Sequence, residues 1–312
     1  MAVDVLLDSE CHHDDRADTM IGSDDHSRSR VVRLMSWSAL AVLVGFIVFC
    51  GVWRLQGGRW VRVETPSMGM TAPVGTLLWV MPTNFERLKV GEFITFHPPG
   101  HPNLTYSHRV YRLNPDGTIS TKGVIPAPDP WKLTAADVVG AVEMRWWGVG
   151  WLVVAAPFLI VGFFLVAAVR RLVRFDWRAP VTILLSSMVV TIAIMWFRPF
   201  INAEQLAFAP DHRGGAVASY VGTGLLPIRL TAHGGSAGRT TQGSSLGSSV
   251  VMRDGQVGTI RVTQPDSHHR LQIDLRPAVP WWVWVSIVVG CFLPALYSLI
   301  VGFAPRSSPA AA

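Results

Sequence analysis

Four long apolar runs without a single charged side chain constrain this chain more than any other feature. They cover residues 34–53, 146–169, 180–197 and 278–304. Each comes close to the ~20 residues that a helix needs to cross the hydrocarbon core of a bilayer. Half of all residues are apolar and only 15% are charged, which is too greasy for an ordinary soluble protein. Pro157 and Pro294 fall inside two of the runs. Membrane helices tolerate proline where neighbours satisfy the freed backbone groups.

Arginines orient the runs. Arg28, Arg30 and Arg33 precede the first, and Arg170, Arg171, Arg174 and Arg178 fill the loop of residues 170–179. Positive residues stay on the cytoplasmic side, so residues 1–33, 170–179 and 305–312 are expected inside. Residues 54–145 and 198–277 then lie outside. Trp53, Trp146, Trp147, Trp196, Trp281 and Trp282 gather near the outer ends, as an aromatic belt at headgroup level would. The net charge of +6 is explained by these flanking arginines, and no basic stretch interleaved with aromatics offers a nucleic-acid surface. The tail of residues 1–33 mixes aspartates with His12, His13 and His26 and reads as a solvated, disordered segment. Cys11, Cys50 and Cys291 show no disulfide framework. The first run reads as an uncleaved anchor, longer than a signal-peptide core and without a convincing cleavage site.

The first outer segment carries the chemistry. Short strand-like runs broken by Gly, Pro, Asn and Asp predict strands over 60–64, 76–81, 92–97, 107–113, 118–122 and 138–144, with a hairpin turn at Asn114-Pro-Asp-Gly117. Ser67 follows one of these strands and the fixed turn of Pro66, where a nucleophile can stand on a rigid support. A serine needs an adjacent base. Candidates in the same segment are His97, His101, His108, Lys89 and Lys122.

Ser67, Met68, Pro73, Val74 and Gly75, leading into a hydrophobic strand, resemble the nucleophile box of type I signal peptidases. Ser107-His-Arg-Val110 resembles the box that holds the general base. Asp116-Gly-Thr-Ile-Ser-Thr-Lys-Gly123, Pro126-Ala-Pro-Asp-Pro130 and Val139-Gly-Ala-Val142 resemble the boxes that follow. Histidine at the base position is similar to the endoplasmic-reticulum-type branch, not the Ser/Lys branch. The likeness covers about residues 59–144. Met70 stands where the family has proline, Val124 replaces one of two acidic positions, and the chain is one residue short before Asp129.

The resemblance implies a Ser/His mechanism with no cofactor and no metal. Ser67 attacks the scissile carbonyl, His108 takes and later returns the proton, and Asp129 orients the imidazole. The Ser67 N–H would meet the oxyanion, with Thr65 as second donor because Pro66 has no N–H. Met68 and Trp79 are expected to bind substrate, and Trp79, Val80, Met81, Pro82 and Phe85 to form an apolar, membrane-facing surface. The implied partners are secretory precursor polypeptides, bound as an added strand beside the lipid bilayer. A three-histidine zinc site of His97, His101 and His108 remains an alternative on residue type alone.

The second outer segment, 198–277, alternates as short strands and reads as a small β-sandwich-like module, with selecting substrates, binding a partner and bracing the catalytic domain as its three open roles; His268-His269 reads as part of an exposed loop. The expected fold is therefore a mixed membrane protein: about four transmembrane helices, an all-β extracytoplasmic peptidase domain and a second β-rich module. The competing function is an inactive peptidase-like envelope protein that binds an unknown partner through that module. Transport is disfavoured because no run carries an ionisable residue. Short basic loops and the lack of disulfides point to a bacterial plasma membrane.

Overall fold

The computed structural model describes residues 34, 37–38, 40–210, 215–232, 235–240, 243–244, 249–262 and 273–293. The expectations for the N-terminal tail, His268-His269, residues 294–304 of the last apolar run and the final tail lie outside these residues. The chain divides into two compact units, Met1–Gly57 and Gly58–Ala312. The described part of the first unit is chiefly an apolar helix, α1 (Leu40–Leu55).

The second unit opens with a six-stranded antiparallel sheet. Its strands are β1 (Arg59–Arg62), β2 (Leu77–Met81), β3 (Phe93–Phe96), β4 (Tyr106–Leu113), β5 (Ile119–Lys122) and β6 (Val138–Trp146), in the order β1-β2-β6-β3-β4-β5. All six lie within two residues of where the sequence pattern placed them. The central strands β2 and β3 are buried on both faces, which is why β2 is an unbroken apolar run and β3 is apolar but for the buried Thr95. Two apolar clusters back the sheet: Val63, Met68, Ala72, Leu78, Val80 and Phe93 near β1, and Leu88, Ile94, Phe96, Val110, Ile119 and Leu133 near β5. The β4–β5 hairpin turns at Asn114–Gly117, closed by the Gly117 N–H on Asn114 O at 3.1 Å. Lys132 and Thr118 hold the exposed Asp116 carboxyl there well below the usual carboxylate range.

Strand β6 runs almost directly into a helix. Gly148, in the left-handed region at φ 74°, breaks the strand, and α2 (Val149–Leu172) begins. The Gly150 N–H bonds Gly75 O at 2.9 Å, tying the first turn of α2 to the loop before β2. A short basic connection leads to α3 (Arg178–Phe197). These two helices are long and apolar enough to cross a membrane. They touch each other through Phe158 and Phe197, and most of their apolar side chains, such as Phe164, Leu184 and Met195, point away from the protein. Helix α1 and the later α4 (Trp281–Cys291) are shorter apolar helices as described.

Between α3 and α4 lies the second module. Its strands are β7 (Ala203–Pro210), β8 (Ala216–Gly222), β9 (Ile228–Ala232), β10 (Gly235–Thr240), β11 (Gly243–Ser244), β12 (Ser249–Met252), β13 (Val257–Val262) and β14 (Ile273–Pro277). They form a five-stranded sheet, β11-β10-β13-β8-β7, and a three-stranded sheet, β12-β9-β14. One core joins both sheets, with Ala218, Ile260 and Val262 from one meeting Ile228, Leu230, Val250 and Met252 from the other. This is a sandwich, and the strict in-out alternation of β13 and β9 follows from having one buried face each.

Candidate active site

Ser67, His108 and Asp129 meet on one side of the six-stranded sheet. Pro66–Thr71 form a 3-10 turn after β1, and Pro66 occupies its first helical position, where a missing N–H does no harm. Met68 anchors the turn: its side chain is 1% exposed and sits in the core cluster beside β1. The Ser67 carbonyl accepts hydrogen bonds from the N–H groups of Val124 and Ile125 at 2.9 and 3.0 Å. Ser67 is thus held at its backbone on one side and through its neighbour's side chain on the other.

His108 lies on β4, pointing inward with Val110 by the strand's period of two. It is 3% exposed. The rings of Phe96 and Tyr106 meet it edge-on, at 6.1 and 5.8 Å between centroids, and restrict its tilt. Its Nε2 is 2.9 Å from Ser67 Oγ, and its Nδ1 is 2.7 Å from Asp129 Oδ2. An ionised carboxylate only accepts, so the Nδ1 proton belongs on the Asp129 side and the Nε2 lone pair faces the serine hydroxyl. That arrangement allows the serine proton to leave along the Oγ–Nε2 line as Oγ attacks a carbonyl carbon. The imidazolium so formed faces Asp129.

Asp129 is fixed by a residue that the sequence reading did not single out. Thr121 Oγ1 donates to Asp129 Oδ2 at 2.6 Å, and the Asp129 N–H donates to Thr121 O at 2.9 Å. The signal was there in principle, because Thr121 shares the inward face of β5 with Ile119. Recognising it needed the pairing of β5 with β4, which sets Thr121 opposite Val110.

The other candidate bases stand apart from this cluster. His97 Nδ1 bonds Leu104 O at 2.8 Å, His101 is exposed, and Lys122 lies over the Tyr111 ring. No group of three potential metal ligands occurs among the described residues, so His97, His101 and His108 do not form a zinc site. The exposed Val124 side chain contributes nothing to the cluster, whereas its backbone N–H holds Ser67; the carboxylate beside the histidine is that of Asp129.

A cleft of about 540 Å³ opens over Ser67. Its walls are Trp60–Glu64 and Thr65 on one side and Asn103–Ser107 on the other, with Met68 below. The outer edge of β1 borders it, since β1 is an end strand paired only with β2. Thr65 lines the cleft beside Ser67 and makes no capping hydrogen bond with its side chain. Trp79 is not where it was expected. It is 1% exposed and sits between Trp60 and Trp146, with ring centroids 5.5 and 4.8 Å away. Val80 is equally buried, because β2 has strands on both edges and core on both faces. Trp79 and Val80 therefore build the core and not a membrane-facing surface, while Met81 and Phe85 are half-buried and Pro82 is exposed, and Trp60 takes the place assigned to Trp79 in the cleft wall.

A comparison with protein-family models and with curated proteins finds no match to this chain. The family likeness thus rests on the boxes in the sequence, and the chemistry rests on the geometry of Ser67, His108 and Asp129.

Proposed function

We propose that this protein is a membrane-bound serine endopeptidase that removes signal peptides from exported proteins, working on the outer face of the plasma membrane in the manner of endoplasmic-reticulum-type signal peptidases. The observation that carries the reading is the hydrogen-bonded chain from Ser67 Oγ through His108 to Asp129 Oδ2, 2.9 and 2.7 Å long, opening on a cleft. A nucleophile in contact with a base, and the base in contact with an orienting acid, is the arrangement that acyl transfer by serine requires.

The substrate class follows from the surroundings. The cleft runs beside the free edge of β1, which suits an extended peptide added as a strand. Strand β6 enters α2 within two residues, so a membrane holding α2 would keep the cleft close to its surface. In this reading α1 and α4 complete four spans, and the basic connection between α2 and α3 is cytoplasmic. A precursor whose signal helix lies in the bilayer would present its first extended residues at that height.

The test is cleavage of a labelled secretory precursor by the detergent-purified full chain, beside Ser67→Ala and His108→Ala. Cleavage after a small residue that both substitutions abolish and that chelators leave intact supports the reading. Cleavage that persists in Ser67→Ala refutes the proposed nucleophile.

A further inference from the structure

The back of the nucleophile turn is covered by the second module. Strands β12 and β13 belong to different sheets of the sandwich, and the four residues Arg253–Gln256 connect them. Gly222, at the end of β8, bonds this turn from within the module: the Gly255 N–H reaches Gly222 O at 2.7 Å and the Gly222 N–H reaches Gln256 O at 3.1 Å. The turn is therefore a fixed tip.

That tip presses on the turn that carries Ser67. A methyl group built on Gly255 would lie 2.4 Å from Gly69 O and 2.7 Å from Met70 N. Backbone meets backbone there, with no room for a side chain on Gly255 and only a tight fit for one on Gly69, whose methyl would lie 3.2 Å from Gly255 O. Gly69 itself takes φ 51° and ψ −138°, a conformation that residues with a Cβ avoid. Gly255 is at φ 71°. Beside this contact, Trp147 Nε1 donates to Asp254 Oδ2 at 2.7 Å, joining the tip to the end of the catalytic sheet. Arg145 of β6 completes the support by donating to Thr71 O at 2.9 Å.

We propose that the second module is a brace for the nucleophile turn, with Gly255 and Asp254 as positioning residues that hold Ser67 in register with His108. The inference rests on the peptidase reading of Ser67. It gives the module a role in the chemistry even though none of its described residues lines the cleft. The front of the turn is held by Val124 and Ile125 at Ser67 O, and the back by Gly255 at Gly69 and Met70. Loss of the back support lets the turn shift relative to β4, and a shift of about 1 Å at a reacting group lowers the rate on the order of 100-fold.

Asp254 is suited to the role because it is built into the contact. It is 8% exposed, and its Oδ1 has no hydrogen-bond partner. Burial pushes its carboxyl up to about 6, against the opposing pull of the Trp147 and Gly255 N–H groups. Arg145 and Arg253 are the charged groups lining the same cavity, of about 520 Å³, and the loop residues around them are neutral.

The test uses the full chain in detergent and a labelled precursor with a small residue before the cut. Gly255→Val and Asp254→Leu are expected to lower kcat roughly 10–100-fold while KM stays within about twofold. Asp254→Asn is expected to recover most of the Asp254→Leu loss, since its amide oxygen still accepts from Trp147. A wild-type kcat in Gly255→Val overturns the brace. Should Gly255→Val fail to fold, Trp147→Phe removes one hydrogen bond at little change in volume; wild-type kcat in both Trp147→Phe and Asp254→Leu overturns the brace equally. Should the wild type neither cleave the precursor nor take up a fluorophosphonate at Ser67, the peptidase reading has failed and not the brace. Amide hydrogen exchange over residues 67–72 then decides. Faster exchange in Asp254→Leu supports the brace, and unchanged exchange overturns it.

Discussion

Thr121 donates a 2.6 Å hydrogen bond to Asp129 at the same oxygen, Oδ2, that faces His108 Nδ1. The carboxylate is thereby tied to strand β5 through a side chain and, by its own N–H on Thr121 O, through the backbone. Two donors on one oxygen fix its direction, and with it the plane of the imidazole. Thr121→Val keeps the shape of the side chain and deletes the donor. A hydrogen bond to a charged group is worth about 1.5–3 kcal/mol, so kcat/KM should fall about 10–150-fold, with Asp129→Asn falling further, by up to about 10⁴. Precursor cleavage by the two variants checks this, and equal, unchanged rates would deny Asp129 its part.

Much of the site was legible because its boxes keep sequence order and spacing. Ser67 sits after a strand and a proline, and His108 shares the inward face of β4 with Val110. Asp129 was reachable too, although the segment before it is short. Other contacts were hidden for physical reasons. Trp79 read as surface because an apolar residue in a short strand carries no mark of how many strands flank it; β1 and β6 bury it from both edges. Thr121 needed the register of β5 on β4. The contact of Gly69 with Gly255 joins residues with no periodic relation at all. Asp254-Gly255 marks a turn in the sequence, but nothing in the sequence says what that turn touches.

Met68, expected to meet substrate, lines the cleft and is also a core residue, buried among Val63, Ala72, Leu78, Val80 and Phe93. Truncation should therefore act on stability first. Met68→Ala leaves a cavity beside Ser67 and should cost about 2–5 kcal/mol. Met68→Leu nearly conserves volume and should cost less than about 1.5 kcal/mol. Thermal unfolding in detergent separates the two. A melting temperature unchanged in Met68→Ala would show that the side chain is not holding the turn.

Trp60 has the opposite profile. It lines the cleft with its ring standing edge-on to Trp79, partly open to solvent. Removing it should weaken substrate contact without disturbing the Ser67–His108 pair. For Trp60→Ala we expect KM to rise roughly three- to tenfold with kcat little changed, the pattern of lost uniform binding. A fall in kcat at unchanged KM would place Trp60 in support of the reacting groups instead.

Asp254 gives the fold a pH dependence whose sign can be worked out. Its carboxyl is raised to about 6 in the folded chain, with burial the largest cause, from an ordinary value of 3.8. The folded state therefore holds the proton more tightly than the unfolded state. The stabilisation this gives is fully present below the unfolded value and is lost as pH rises through about 6. Above that, the wild type carries an ionised carboxylate at the contact between the module and the nucleophile turn, where Trp147 is its side-chain donor and Arg145 and Arg253 are the nearby cations. Asp254→Asn mimics the protonated form at every pH. The opening of the cavity beside Asp254 screens part of the effect, so a gain of only a few degrees in melting temperature over the wild type is expected at pH 8. At pH 5 the gap should have shrunk markedly. A difference that stays constant between the two, or that favours the wild type at pH 8, would mean that the hydrogen bond from Trp147 outweighs the burial.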